Sequence, residues 1–243
     1  MIKGINYMRK VFSRGSVQVC GQRGRGKDLL MANVACRSRS YYSNIDYGGN
    51  FHPLDFEALD THNTYDDLVT HNITPYVYPY EEGADIYISD CGVYFPSQYD
   101  TLLDKKYPRL PQFFALSRQL ALASVHTNTQ ALGRVWKKMR EQSDCYCLCR
   151  WVFKPLVRFG IVIQKVTLYD RYSSAEQGVI PFSLPRPSIL SPKEVKLNYE
   201  IERQRYKQNY GEVTNVILVY RNKSTYDTRF FKKLLEGSLA QDT

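Results

Sequence analysis

Residues 21–28 read GQRGRGKD, and this glycine-rich run that ends in Lys-Asp has residue types and a spacing suited to binding phosphate. It fits the pattern G-x-x-x-x-G-K through Gly21, Gly26 and Lys27, with Gly24 as a third glycine. Glycines allow a tight turn in which successive backbone N–H groups point at phosphate oxygens. The lysine of such a loop reaches the β- and γ-phosphates of a nucleotide. The pattern predicts an ATP-binding loop, and the alternative is a plain glycine-rich turn between a strand and a helix.

All residues of this loop are predicted to contact the nucleotide: Gly21, Gln22, Arg23, Gly24, Arg25, Gly26, Lys27 and Asp28. Asp28 stands where the pattern usually has Ser or Thr, whose hydroxyl ligates Mg²⁺. A carboxylate also suits Mg²⁺, because this cation prefers hard oxygen ligands. Its negative charge would nevertheless lie close to the phosphates. The loop therefore predicts binding of ATP with Mg²⁺, whereas hydrolysis depends on the effect of Asp28.

A second acidic residue ends the apolar run DIYISD at residues 85–90. An acid at such a strand end orients the magnesium ion or its water, so Asp28 and Asp90 are the predicted metal ligands. Residue 91 is Cys, where a glutamate usually polarises the attacking water. The alternative for Asp90 is a residue that ends a strand in a turn.

Thr129 and Gln130 follow another predicted strand. A polar residue there can orient the attacking water or sense the γ-phosphate, and the alternative is a turn that caps a helix. Lys27, Asp90 and Gln130 are the predicted catalytic residues. Three arginines are candidates for acting on a neighbouring subunit if the chain forms a ring, and each can equally be a surface residue: Arg118, Arg134 and Arg140.

Strands and helices alternate around these residues. The predicted strands are 16–20, 41–45, 85–90 and 123–129, and the predicted helices are 27–36, 64–69, 110–121 and 132–142. This alternation is typical of an α/β fold, here a P-loop NTPase-like parallel sheet with helices on both faces. Loops at the carboxyl ends of parallel strands bind ligands, so the fold places residues 21–28, 90 and 130 at one edge.

The chain divides into four predicted segments. They are a P-loop NTPase domain over 1–144, a β extension over 145–172, a Pro/Ser-rich linker over 173–193 and a basic helical tail over 194–243. Within the smaller C-terminal β/α part, strands are predicted at 145–150, 152–157 and 161–169 and a helix at 194–210.

The net charge of +9 belongs entirely to the second half of the chain. Residues 1–133 hold 13 Lys+Arg and 13 Asp+Glu, whereas residues 134–243 hold 20 and 11. Such an asymmetry predicts contact with a polyanion, with DNA as the expected partner. Aromatic residues lie among the cations at 196–220 and 226–233 and could stack on bases. The alternatives are a solvated surface and a contact between subunits.

The sequence also argues against a membrane-spanning, a secreted and a zinc-binding protein. No apolar run reaches the roughly 18–20 residues that span a bilayer, and residues 1–15 lack the apolar core of a secretion signal. A cytoplasmic location is therefore expected. Three cysteines at positions 145, 147 and 149 are spaced more closely than common zinc pairs, and no second Cys/His pair lies nearby. Reduced thiols are the simpler expectation.

The order of these motifs resembles the zonular occludens toxin-like (Zot) family of phage P-loop proteins, which is related to FtsK/HerA-type DNA motors. The resemblance covers roughly residues 16–144 and is carried by the loop itself, SNI at 43–45, FPS at 95–97, SRQL at 117–120 and Thr129-Gln130. It implies an ATP-driven role in virion assembly, DNA packaging or DNA extrusion in a host cell. The implied partners are DNA, phage structural or assembly proteins and further copies of the chain.

The sequence departs from the family at Asp28, at Cys91 and in having no membrane-spanning segment after the ATPase domain. A packaging or morphogenesis motor without a membrane span therefore fits better than direct extrusion through a membrane. Two other hypotheses stay open. One is a nucleotide- or DNA-binding scaffold without significant hydrolysis, and the other is a small-molecule or nucleotide kinase, for which no compact arginine lid stands out.

Overall fold

The computed structural model describes residues 2–56, 80–107, 110, 122–157 and 159–224. The strands in this part of the chain are β1 (Ile2–Lys3), β2 (Val17–Cys20), β3 (Tyr41–Ser43), β4 (Phe51–Pro53), β5 (Asp85–Ile88), β6 (Ser124–Thr129), β7 (Cys145–Val152), β8 (Ile161–Tyr169) and β9 (Val213–Arg221). The helices are α1 (Ile5–Phe12), α2 (Lys27–Ala35), α3 (Cys91–Tyr94), α4 (Asp100–Lys106), α5 (Lys137–Arg140), α6 (Lys154–Val157), α7 (Tyr172–Gln177) and α8 (Lys193–Tyr210). Among these described residues, no helix is long and apolar enough to cross a membrane.

The strands form one nine-stranded sheet in the order β1-β9-β8-β7-β2-β6-β5-β3-β4. Strand β2 lies at its centre and pairs in parallel with β6 on one side and β7 on the other. Parallel pairing continues through β5, β3 and β4, whereas β7, β8 and β9 pair in antiparallel fashion. The predicted α/β class with a mainly parallel sheet is confirmed.

Helices cover both faces of this sheet. Tyr87 of β5 is buried in the apolar cluster that contains Met8 of α1 and Met31 of α2. Its neighbour Ile88 is buried in the other large cluster, with Leu103 of α4. Successive side chains of a strand point to opposite faces, so the two clusters lie on opposite sides of the sheet.

The predicted elements around the loop are confirmed with small changes at their ends. Helix α2 occupies all but the last residue of the predicted helix 27–36, and the four strands predicted before residue 130 are each one or two residues shorter than expected. Strands β1 and β4 have only two and three residues and were not predicted. The amphipathic helix α1, which buries Ile5, Met8 and Phe12, was missed. The predicted helix 64–69 lies outside the described residues, and so does the predicted helix 110–121 apart from Leu110.

The predicted helix over 132–142 is wrong. Leu132–Arg134 is a short 3₁₀ turn, and α5 begins only at Lys137. Between them the backbone is extended, because Val135 bridges to Pro96 and the Trp136 N–H donates to the Phe95 carbonyl at 2.8 Å. Val135 and Trp136 are both buried in the second apolar cluster, and that burial overrides the local helical pattern.

The second half of the chain extends the same sheet through β7, β8 and β9. The strand predicted at 152–157 is wrong, since β7 ends at Val152 and α6 follows. The helical tail predicted over 194–243 is wrong for Val213–Arg221, which is strand β9. Its side chains alternate between buried and exposed from Val216 to Arg221, as expected for a strand that pairs with β8 on one side and β1 on the other. The division of the chain into domains stays a prediction.

Candidate nucleotide-binding site

The glycine-rich loop connects the central strand β2 to helix α2. At its start the Gly21 N–H donates to the Thr129 carbonyl at 3.2 Å, which ties the loop to the end of β6. Gly24 and Gly26 have φ angles of 78° and 81°, in the left-handed region that favours glycine. The first-turn N–H groups of α2 have no partner within the helix and carry its positive dipole end. The loop and the helix start together form a site for an anion.

Two of the glycines are also needed for close packing against the second half of the chain. A Cβ on Gly21 would lie 3.0 Å from the Cβ of Cys149 on β7. A Cβ on Gly26 would lie 2.9 Å from Nε2 of Gln164 on β8. The contact at Gly21 is tighter than nearly all real Cβ contacts, and the contact at Gly26 is closer than real Cβ atoms come. A larger residue at 21 would therefore press on β7, and one at 26 would displace the Gln164 side chain.

Lys27 is the first residue of α2 and is only 4% exposed. Its Nζ lies 2.8 Å and 3.0 Å from the two carboxylate oxygens of Asp28 and 2.9 Å from Oδ1 of Asp90. Burial by itself lowers the pKa of Lys27, but the carboxylates of Asp28 and Asp90 outweigh it and leave the pKa above its ordinary value. The structure therefore brings three predicted site residues together around one buried ammonium group.

Asp90 is held at the edge of the sheet by its backbone. Its φ of 48° is left-handed, which among the described residues other than glycine occurs only here. Such a conformation persists where the surroundings impose it. Here the Asp90 N–H donates to Oδ1 of Asn128 at 2.7 Å. The carboxylate is thereby turned toward Lys27.

Asn128 on β6 is a site residue that sequence analysis missed. It is fully buried between β2 and β5, and its Nδ2 donates to Oδ1 of Asp28 at 3.0 Å while its Oδ1 accepts from the Asp90 N–H. One amide thus fixes the distance between the two predicted metal ligands. The signal was present, since a polar residue near the end of a buried strand precedes Thr129 in SVHTNT.

Asn44, which follows β3, holds the backbone of the residue before Asp90. Its Nδ2 donates to the Ser89 carbonyl at 3.1 Å, and its Oδ1 accepts from the Ser89 N–H at 2.8 Å. The residue before Asp90 is therefore clamped by the chain that follows β3. Asn44 lies inside the SNI motif of the resemblance, although the sequence did not indicate this contact.

Thr129 and Gln130 lie at the carboxyl edge of the sheet, beside Asp90. Gln130 is exposed, and it lines a cavity of about 60 Å³ with Asp90, Gly92, Val93, Thr129 and Arg134. The structure thus places Gln130 and Arg134 beside Asp90. Arg140 lies elsewhere, because its guanidinium donates to the Tyr172 hydroxyl at 2.7 Å. Arg118 lies outside the described residues.

Gln164 is a second residue that sequence analysis missed. It is fully buried on β8, and its Nε2 donates to the carbonyls of Gly26 at 2.9 Å and Arg25 at 3.2 Å. The Tyr220 hydroxyl on β9 in turn donates to Gln164 Oε1 at 3.2 Å. Burial raises the pKa of Tyr220, so this hydroxyl stays neutral and can donate. A chain of hydrogen bonds therefore links β9 to the loop.

The residues present fit a magnesium ion that arrives with a nucleotide. Mg²⁺ is usually held by one or two carboxylates together with phosphate oxygens and water. Asp28 and Asp90 supply those carboxylates, and both contact Lys27. Within the described residues, no group of three or more His, Cys, Asp and Glu side chains could hold a metal on protein ligands alone. All six cysteines, including those at positions 145, 147 and 149, are free thiols.

No family model matches the sequence, and no curated protein matches it. Comparison of folds finds the N-terminal domain of zonular occludens toxin from Neisseria meningitidis, with 12% identity, a TM-score of 0.43 and coverage of 71% of this chain and 95% of that chain. It also finds the genome packaging NTPase B204 from Sulfolobus turreted icosahedral virus 2, with 12% identity, a TM-score of 0.38 and coverage of 66% and 94%. A third match is EssC (ATPases 2 and 3) from Geobacillus thermodenitrificans, with 12% identity, a TM-score of 0.36 and coverage of 81% and 44%.

The first of these structures carries the name of the family that the sequence resembles. All three TM-scores lie below 0.5, so these similarities do not assign a function. The topology of the sheet and the geometry of the loop define a P-loop NTPase-like α/β fold. Its central strand leads into a glycine-rich loop, and a lysine begins the following helix.

Proposed function

We propose that the chain is a P-loop ATPase that binds Mg·ATP at residues 21–28 and acts in DNA packaging, DNA extrusion or virion assembly in the host cytoplasm. The observation that carries this proposal is the position of Lys27. Its ammonium group lies at the start of α2 with Asp28 and Asp90 both within 3.0 Å, at the carboxyl edge of a parallel sheet. Ligands of such sheets bind at that edge.

The loop binds the phosphates through backbone N–H groups and through Lys27. Lys27, Asp28 and Asp90 together carry one positive and two negative charges, so the group has a net charge of −1. A triphosphate is therefore repelled by the carboxylates unless a cation accompanies it. Bound Mg²⁺ supplies charge neutralisation and polarises the phosphoryl group. Asp28 and Asp90 are placed to hold that ion, and Lys27 then turns its ammonium group to the phosphates.

Hydrolysis needs a group that positions the attacking water. Gln130 and Asp90 line one small cavity beside the loop, and Asn128 holds Asp90 in place. Gln130 has an amide that can both donate to and accept from a water molecule. Arg134 at the same cavity can stabilise developing negative charge.

Contact with DNA is supported by the charge of the second half of the chain. The exposed helix α8 is rich in cations, yet Arg203 and Arg205 lie in ion pairs with Glu200 and Glu202. Lys207, Lys137 and Lys138 are also in ion pairs, with Glu212, Glu141 and Asp104, so the DNA contact is proposed for described cations outside these pairs, such as Lys193. Phage structural proteins and further copies of the chain are the other proposed partners. Binding to DNA that fails to weaken between low and physiological salt would contradict phosphate contacts.

The direct test is the Mg·ATP affinity of Lys27→Ala beside Lys165→Ala, an exposed lysine on β8. Loss of two charged hydrogen bonds should weaken ATP binding about a hundredfold in the first variant and leave it unchanged in the second. The double variant Lys27→Ala/Asp28→Ala removes the uncompensated carboxylate and keeps the test valid if Lys27→Ala unfolds. Wild-type affinity in both Lys27 variants would overturn the assignment.

The second candidate is a nucleotide-binding scaffold without significant turnover. It is favoured by one observation, the pairing of Asp28 with Lys27 at the place where a hydroxyl is usual. ATPase assays with and without DNA separate the two functions. Tight ATP binding with no turnover in either condition supports the scaffold, and a gain of turnover in Asp28→Thr shows that this carboxylate restrains hydrolysis.

A further inference from the structure

The end of β7 and the first residues after it pack along the glycine-rich loop. Cys149 packs at the Gly21 position, Val152 has its Cβ 3.3 Å from the Cβ position of Gly26, and Lys154 has its Nζ 3.3 Å from that of Gly24. Strands β7 and β2 are parallel neighbours, so the chain leaving β7 emerges at the same edge as the loop that leaves β2. The second half of the chain therefore brings an ammonium group to the phosphate-binding loop.

Lys154 differs from Lys27 in its electrostatic surroundings. Lys27 is buried between two carboxylates, whereas Lys154 is exposed and makes no ion pair with any described residue. The group formed by Lys27, Asp28 and Asp90 has a net negative charge before any nucleotide arrives. A polyanionic ligand on the loop would therefore be attracted to the uncompensated ammonium group at Gly24.

We infer that Lys154 is a second phosphate-contacting cation of the nucleotide site, an inference that rests on the proposed binding of ATP. Gly24 is the loop residue that faces Lys154, and its φ of 78° lies in the left-handed region that favours glycine. The absence of a side chain at position 24 keeps the ammonium group within reach of a ligand seated on the loop. The nucleotide site is then shared between the two halves of the chain, with Lys27 from the first and Lys154 from the second.

The test compares Lys154→Ala, Lys154→Arg and the control Lys165→Ala. Lys165 is an exposed lysine of the same hairpin, and its side chain points to the opposite face of β8 from Gln164, which contacts the loop. Titration with Mg·ATP should show about a tenfold loss of affinity for Lys154→Ala, because one exposed charged contact is removed. Lys154→Arg should bind within about twofold of wild type, since the positive charge is kept. Lys165→Ala should bind like wild type.

The outcomes separate this inference from the proposed function. Failure of the wild-type protein to bind Mg·ATP overturns both. Binding that is lost in Lys27→Ala but unchanged in Lys154→Ala overturns the role of Lys154 alone. Equal loss in Lys154→Ala and Lys154→Arg also overturns it, since the effect then comes from the shape of the hairpin and not from charge.

Discussion

Strands β5 and β6 carry polar side chains at both of their ends, and the two ends behave differently. At the carboxyl end, Asp28 and Asp90 both contact Lys27, and Asn128 hydrogen-bonds to both acidic residues. At the amino end, Ser124 donates to Asp85 at 2.5 Å and contacts Nε2 of His126 at 2.5 Å. Both groups contain an acid, a base and a hydrogen-bonding neutral residue, so residue types alone do not separate them.

The amino-end group is a closed network. Nδ1 of His126 accepts from the Val17 N–H at 3.2 Å, so the ring proton lies on Nε2 and is donated to Ser124. An imidazole in that tautomer cannot remove the proton of Ser124, so this trio lacks the arrangement of a hydrolase. Burial lowers the pKa of His126 to about 4 although Asp85 opposes the shift, and the ring is therefore neutral.

The carboxyl-end group is an open network with excess charge. Its two carboxylates outnumber its single cation, and the side chains of Asp28 and Asp90 are 26% and 36% exposed. A site that binds a charged ligand needs such unsatisfied capacity, whereas a network that stabilises the fold does not. The two clusters therefore differ in whether their hydrogen-bonding and charged groups are already satisfied, and only the cluster at the carboxyl end keeps capacity for a ligand.

The largest expected effect on stability and ATP affinity is that of Asn128→Leu at the carboxyl end, and Ser124→Ala at the amino end is its control. Loss of the Asn128 amide leaves the Asp90 N–H without its acceptor and Asp28 with Lys27 alone, and should lower the free energy of unfolding by about 3 kcal/mol. It should also weaken ATP binding at least tenfold. Ser124→Ala should lower stability by about 1–3 kcal/mol and leave ATP affinity unchanged.

Urea unfolding and ATP titration on both variants measure these effects. If Ser124→Ala weakened ATP binding as much as Asn128→Leu did, the proposed difference between a ligand site at the carboxyl end and a structural network at the amino end would be wrong.

The next effect is a loss of stability in acid that depends on His126. Its pKa is about 4 in the folded chain and about 6.5 when unfolded, so the unfolded state binds more protons between these values. Stability is therefore fully present above pH 6.5 and falls as the pH drops toward 4, by about 3 kcal/mol in total. The free energy of unfolding measured from pH 7 to pH 4 should show this slope in the wild type.

The slope should shrink in His126→Gln and persist in His52→Gln, because His126 is fully buried whereas His52 is only half-buried on β4. If the free energy of unfolding of His126→Gln fell as steeply toward pH 4 as that of the wild type, the loss of stability in acid would come from carboxylates and not from His126.

A smaller effect is expected where the second half of the chain holds the loop. Gln164→Leu removes both donors to the carbonyls of Arg25 and Gly26, which should weaken ATP binding about tenfold. Gln164→Glu keeps the shape but loses the donors, and should behave like Gln164→Leu. Normal affinity in Gln164→Glu would show that shape, rather than hydrogen bonding, positions the loop.

The smallest effect is expected for Tyr220→Phe. The hydroxyl acts on the loop only through Gln164, so its removal should change ATP affinity about two- to threefold and lower stability by about 1 kcal/mol. In a Gln164→Leu background the same substitution should have no further effect on ATP affinity. Additive losses in the double variant would show that Tyr220 acts by another route.

Much of the first half could be predicted because its signals are local. The spacing of Gly21, Gly26 and Lys27 and the alternation of apolar residues in VQVC and DIYI depend only on neighbours in the chain. The position of Asn128 near the end of a buried strand was visible in the sequence, but its partners and those of Gln164 could not be predicted, since they lie far away along the chain. The helix predicted over 132–142 failed for the same reason, because distant contacts bury Val135 and Trp136.

Residue types at short spacing predict a phosphate-binding loop at residues 21–28, the acid after β5, the α/β class and the charge of the second half. Local backbone preferences and apolar periodicity express these properties directly. The contacts that Asp28 and Asp90 share with Lys27, and the hydrogen bonds through which β8 and β9 hold the loop at Gln164, appear only in the folded chain. Strand pairing sets those contacts, and the pairing of β2 with β7 brings together residues more than a hundred positions apart.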